Sequence, residues 1–189
     1  MPSSTTRAPL RALEIMFLVL LLGLVIYRFG PELRTRTALP APAPDLEVVT
    51  LAGDTVRLRE LRGTVVLVNF WATWCAPCRV EMPALQRVWE DHREQGFLVL
   101  GLYTDAGVVA DLVTWFRDAG VAYPFARATP AAVRGFGHGG TLPTSFLVDR
   151  AGRIVERVEG VYPEDRLRER LDRLLAEPAP TADPTDSSR

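Results

Sequence analysis

The pattern of apolar and polar positions changes character several times along the chain. Ile15 to Tyr27 is one uncharged, apolar run with no polar face, unlike the one-sided stripe of a helix lying on a soluble core. From Leu46 to Arg57 two short alternating runs flank Ala52-Gly53-Asp54, which predicts a β-hairpin, and Leu58 to Leu61 fits a brief helical turn. "TVVLVNFWA" is continuously apolar apart from Asn69 and lies between Gly63 and the cysteines, as expected of a strand buried on both faces. From Ala76 to about Arg93 the spacing turns helical, with Val80, Leu85, Val88 and Trp89 assigned to the inner side. "GFLVLGLYT" then repeats the buried-strand pattern, so strand, helix and strand form a parallel pair with a right-handed crossover. Further on, the pattern gives a helix at about Val108 to Ala119, a short strand near Tyr123 to Ala126 and a helical turn from Pro130 to Phe136. A hairpin turning at Arg150 to Gly152 follows, and Pro163 to Leu175 closes the chain as an amphipathic helix with Leu167, Leu171 and Leu174 aligned. The class predicted is α/β, a mixed central sheet flanked by helices.

The two ends read differently. As a helix, Ile15 to Tyr27 covers about 20 Å at 1.5 Å per residue, short of a hydrocarbon core of about 30 Å. Counting residues 12–28 lengthens it, and with Arg11, Glu14 and Arg28 reaching outward to headgroups along their stems an anchor is the favoured reading. A cleaved secretory signal is the alternative, but Arg28-Phe29-Gly30-Pro31 follows the run where a small-x-small site is wanted. Positive charge is nearly balanced across the segment and does not set its orientation. "TALPAPAP" favours extended polyproline geometry and reads as a spacer. "PAPTADPTDSSR" lacks the apolar residues a core needs. The organisation expected is therefore a membrane anchor or signal over 1–36, a Pro-rich spacer over 37–43, one domain over 44–177 and a disordered tail over 178–189.

Charge removes one class of function. The net charge is −1, and all 22 basic residues are arginine. No basic stripe for a phosphate backbone emerges, so nucleic acid is not an expected partner.

The chemistry concentrates in "NFWATWCAPCRVEMP", residues 69–83, which holds both cysteines of the chain. They fall where a buried strand ends and a helix begins, placing Cys75 at the helix N-terminus and Cys78 three residues on, along one face. Unpaired first-turn N–H groups and the helix dipole stabilise a thiolate there, lowering a cysteine pKa from about 8.5 to about 7 or below. Cys75 is the expected nucleophile. Pro77 is tolerated in the first turn, Pro83 removes one hydrogen bond further along, and Trp74 offers an apolar surface beside the sulfur. A purely structural disulfide across so short a loop would remove little entropy from the unfolded chain. Two cysteines exclude a four-thiolate zinc site. A copper-delivery or docking module using Cys75, Cys78 and His138 of "GFGHGGTLP" stays open as an alternative, although His138 also reads as a solvated loop residue and His92 as surface.

"FWATWCAPCRVEMP" together with "TLPTSFLVDRAGRIV" resembles the thioredoxin superfamily, and more closely the membrane-tethered TlpA/ResA-type proteins with a hairpin ahead of the first core strand. The resemblance covers about residues 44–176. It implies a thioredoxin-like fold with an N-terminal β-hairpin extension and an N-terminal membrane helix. It also implies that Pro143 is a cis-proline opposite the cysteines. Leu142 would then pair through its backbone with an extended substrate segment, in a groove framed by Trp74, Pro77, Thr141 and Thr144. Thioredoxin itself carries a buried aspartate where this chain has neutral Asn69, so the proton relay to Cys78 must come from elsewhere. Glu81 and Asp105 are the candidates, although each also reads as an ordinary surface or turn carboxylate.

By the same resemblance the activity is thiol–disulfide exchange on protein disulfides, needing no metal or organic cofactor. The direction implied is reduction, in cytochrome c maturation, with apocytochrome c as substrate and a membrane thiol carrier as electron donor. The location implied is the extracytoplasmic, periplasmic side of the bacterial cytoplasmic membrane, or secretion if the signal is cleaved. A thiol peroxidase on a related fold is a further alternative, but the threonine it wants three residues before the reactive cysteine is Ala72 here.

Overall fold

The computed structural model describes residues 14–21, 23–24, 39–105 and 109–178, the side chains of 109–113 excepted. Residues 14–21 and 23–24 are helical and belong to an N-terminal unit, residues 1–38, distinct from the domain that begins at Leu39. Among the described residues no helix is long and apolar enough to cross a membrane. The anchor or signal expected over residues 12–28 lies partly outside the described residues, as does the tail beyond residue 178.

In the domain, β1 (Ala41–Pro42) precedes β2 (Glu47–Val49) and β3 (Thr55–Arg57), then a 3₁₀ turn (Leu58–Leu61) and β4 (Val65–Trp71). After β4 come α1 (Ala76–His92), β5 (Phe97–Tyr103), α2 (Val109–Asp118), β6 (Phe125–Arg127) and α3 (Pro130–Gly135). The chain closes with β7 (Thr144–Val148), β8 (Arg153–Glu159) and α4 (Glu164–Ala176). Six strands form one mixed sheet in the order β1-β8-β7-β4-β5-β6, and β2 pairs antiparallel with β3 in a separate two-stranded sheet. β4, β5 and β6 run parallel, while β7 is antiparallel to β4 and β8 to β7. Its class is thioredoxin-like α/β.

The position of β4 explains its composition. A strand with neighbours on both edges and helices on both faces has no solvent side, so all seven of its residues are buried. Val65, Leu67 and Trp71 pack with α1, Phe116 of α2 and α4, while Val66, Val68 and Phe70 pack with Leu46, Val48, Leu58 and Phe136. Asn69 falls in the first row, the one polar residue in it.

Three differences from the sequence reading concern this framework. Ala41 and Pro42, expected in the spacer, form β1 against Ile154 and Arg153 of β8. Proline's missing N–H is harmless at a sheet edge, and the extended geometry of the stretch suits a strand as well as a spacer. Val80, expected inward, is 73% exposed. The buried residues of α1 are Cys78, Glu81, Met82, Leu85, Gln86, Val88 and His92. His92, expected at the surface, is buried with Nδ1 at 2.8 Å from the Val88 carbonyl oxygen.

Candidate active site

The site forms where β4 runs out. The Cys75 N–H donates to the Ala72 carbonyl at 3.1 Å, and Cys75, its backbone still extended, caps α1. Its Sγ accepts the Cys78 N–H at 3.3 Å, so sulfur occupies the place that a serine or aspartate oxygen takes at other helix starts. Cys75 and Cys78 are joined in a disulfide with Cα atoms 5.3 Å apart. Both cysteines are buried, whereas Trp74 is 71% exposed and Ala76 and Pro77 lie open. The disulfide is thus recessed behind an apolar rim.

Neighbouring strands complete that end of the sheet. Register pairs Phe70 of β4 with Thr144 of β7, which brings the Leu142–Pro143 peptide alongside the end of β4. That peptide is cis. Thr141 is exposed, Leu142 half-buried and Pro143 buried, and the Thr144 hydroxyl donates to the Thr141 carbonyl at 2.7 Å. The Pro143 carbonyl accepts the Gly160 N–H at 2.8 Å, tying the loop to the end of β8.

The two carboxylate candidates occupy different settings. Asp105, just beyond β5, accepts the Thr73 N–H at 3.2 Å and the Thr73 hydroxyl through the same oxygen, Oδ2. It braces the loop before Cys75. Glu81, read both as a candidate proton relay and as a surface carboxylate, is only 1% exposed. One carboxylate oxygen accepts the Tyr162 N–H at 2.7 Å and the other accepts Asn69 Nδ2 at 3.2 Å. Burial raises its pKa to about 7, against the lowering effect of those two donors. This polar cluster, which also includes Ser145, escaped the sequence reading. Its signal was present, because residues 78, 81, 85, 88 and 92 recur at the helical spacing of three and four.

His138 does not join the cysteines. Its ring stacks on Phe70 at 4.6 Å between centroids, on the opposite face of β4 from α1. Burial and the nearby Arg157 guanidinium lower its pKa. Among the described residues, no three histidine, cysteine, aspartate or glutamate side chains converge to hold a metal.

A buried disulfide whose first cysteine caps α1, beside a cis-proline, defines a thioredoxin-like thiol–disulfide exchange site. Residues 40–157 match the AhpC/TSA family; the chain belongs to it and is a thiol–disulfide oxidoreductase. It is 28% identical over 164 residues to the thiol-disulfide oxidoreductase ResA of Bacillus cereus, covering 87% of this chain and 94% of that protein. Its identity with the ResA protein of Geobacillus thermodenitrificans is 29% over 169 residues, 89% of this chain and 96% of that one. Among solved structures, a thioredoxin-family thiol:disulfide interchange protein from Chlorobium tepidum superposes with a TM-score of 0.67 at 30% identity. That match spans 74% of this chain and 99% of the other.

Proposed function

We propose that this protein reduces protein disulfides outside the cytoplasmic membrane, tethered there through residues 12–28. The observation that carries the reading is the disulfide at the start of α1, with the Cys75 sulfur as the cap. In the reduced protein the first turn favours the Cys75 thiolate, which attacks one sulfur of a substrate disulfide. A mixed disulfide forms and the other substrate sulfur leaves as thiolate. Cys78 passes its proton to the Glu81 carboxylate and attacks the Cys75 sulfur, breaking the bond to substrate. Two electrons reach the substrate, and the protein is left with the Cys75–Cys78 disulfide. A thiol carrier in the membrane reduces it again.

Leu142, beside the cis bond and half-buried, offers its backbone to an extended substrate segment, while Trp74, Pro77 and Thr141 line the approach. Such pairing reads main chain more than side chains, which suits an unfolded cysteine-bearing polypeptide such as apocytochrome c. Similarity to ResA thiol-disulfide oxidoreductases supports the exchange chemistry, and the apolar run Ile15 to Tyr27 supports the tether.

The test is covalent capture. Cys78→Ser should accumulate mixed disulfides on Cys75 that survive non-reducing electrophoresis, and Cys75→Ser should accumulate none. Mass spectrometry of the trapped species names the substrates. Capture on Cys78 in place of Cys75, or no capture at all, defeats the assignment.

A further inference from the structure

Glu81 lies three residues beyond Cys78 on the buried side of α1 and is held by two donors, one of which is itself held. We propose that Asn69 and Ser145 form a positioning pair that fixes the Glu81 carboxylate for proton transfer at Cys78. The inference rests on Glu81 accepting that proton, as proposed above.

Start with β4. In the row that faces α1, Val65, Leu67 and Trp71 are apolar and Asn69 sits among them, 1% exposed. A buried amide is costly unless its polar atoms are bonded. Nδ2 of Asn69 donates to Glu81 Oε2 at 3.2 Å and to Ser145 Oγ at 3.0 Å. Those two acceptors account for both hydrogens on Nδ2. Ser145 is also the direct cross-strand partner of Asn69 in the β4–β7 register, so the bond between them spans a fixed pair on one face. Rotating the amide would break both bonds and turn its oxygen toward a carboxylate. The orientation of Asn69 is therefore set by β7, and the Glu81 carboxylate inherits it. The other donor to Glu81, the Tyr162 N–H, is backbone and holds the opposite oxygen at 2.7 Å.

The groups facing Glu81 from the surrounding elements are few. Tyr123, before β6, is buried with its hydroxyl unpartnered, and its phenol is held protonated by burial and by Glu81 itself. Tyr162, between β8 and α4, contributes backbone here, while its phenol lies under the influence of Glu156, Arg166 and Arg170. The cysteines carry no proton while joined. No charged side chain among the described residues adds to the two donors in opposing the burial of Glu81.

The step balances simply. The Cys78 thiol proton moves to Glu81, the Cys78 sulfur bonds to the Cys75 sulfur, the substrate thiolate departs, and Glu81 later returns the proton to solvent. Weakening the donor pair makes Glu81 hold a proton more tightly, so the carboxylate form needed for the step appears only at higher pH.

Carboxyl carbon NMR of the oxidised protein reads Glu81 without interference from the cysteines. The neutral-range titration should vanish in Glu81→Gln, move up by about one pH unit, a tenfold change in proton affinity, in Asn69→Leu, and by less in Ser145→Ala. Stopped-flow reduction of oxidised glutathione by the reduced proteins should show the same displacements in the pH–rate profile, and none in the Glu81→Gln background. An unmoved carboxyl titration in Asn69→Leu, with the Glu81→Gln profile altered, overturns the positioning pair alone. A Glu81→Gln profile identical to wild type overturns Glu81 as proton acceptor and this proposal with it. Should Asn69→Leu fail to fold, Ser145→Ala decides by the same criteria.

Discussion

Glu81 and Asp105 stand at the same end of the sheet, one on the helix that begins with the cysteines and the other just past the strand beside β4. Glu81 is enclosed, with one oxygen on a backbone N–H and the other on a neutral amide. Asp105 is half-buried, with Oδ2 taken up by the Thr73 N–H and hydroxyl and Oδ1 buried without a partner. On the role proposed for Glu81, the difference separates proton chemistry from architecture. A carboxylate deprived of water, with two donors to set against its burial, holds its proton into the neutral range. A carboxylate whose donors belong to one nearby loop residue fixes that loop in place. Both side chains end in a carboxylate; burial and the origin of the donors set them apart.

The sharpest way to break this comparison is to remove the charge from Glu81. General acid–base groups contribute about 10²–10⁴-fold, so Glu81→Gln should slow resolution of a Cys75 mixed disulfide at pH 8 by about 100-fold. Single-turnover kinetics measure it, and a loss under threefold would put Glu81 in the same class as Asp105. Next in size is the effect on stability. Folded Glu81 titrates near 7 against a value of 4.5 when unperturbed, so between those pH values the folded state binds the extra proton. Stability contributed by that proton is complete below about pH 4.5 and is lost as pH rises through about 7. Each pH unit of the window is worth about 1.4 kcal/mol, or about 3 kcal/mol in all. Urea denaturation of the oxidised protein at pH 5 and pH 8 should show wild type losing this increment and Glu81→Gln flattening the curve.

Asp105 should respond in the opposite manner. Asp105→Ala removes both acceptor contacts to Thr73, at a cost of about 2 kcal/mol. The expected result is a melting temperature several degrees lower with the pH–rate profile unmoved. A displaced profile would make Asp105 a partner in proton transfer.

Much of this arrangement was legible in the letters, and the part that was not has a common physical origin. The continuous apolar run 64–72 and the helix starting at Ala76 put Cys75 on a helix N-terminus by pattern alone. The same pattern placed β5, α4 and the β7–β8 turn, because each is set by local alternation or turn residues. It failed on Glu81 and His92, which share the inner stripe of α1 with Cys78, Leu85 and Val88. His92 was read outward, and Glu81 was given a surface reading beside its relay reading, because their side chains are polar, although their spacing says inward. Periodicity was the better guide there, and Val80 shows the converse error. Ser145 was beyond reach for a different reason. Its meeting with Asn69 depends on the register of two strands 76 positions apart in sequence, which no local pattern encodes.

The smallest effect expected is also the most discriminating for the loop. Thr73→Ala deletes the hydroxyl that donates to Asp105 and keeps the backbone N–H that also donates to it. The loss should be about 1 kcal/mol, half that of Asp105→Ala. Because the two residues share one contact, combining them should cost no more than Asp105→Ala alone, a failure of additivity that a double-mutant cycle measures directly. Full additivity would mean that Asp105 and Thr73 stabilise the fold through separate partners, and the brace on the loop before Cys75 would dissolve into two unrelated contacts. If the coupling is found and Cys75 nonetheless attacks substrate at an unchanged rate, the brace serves folding alone, and of these two carboxylates Glu81 is left as the one that bears on the chemistry.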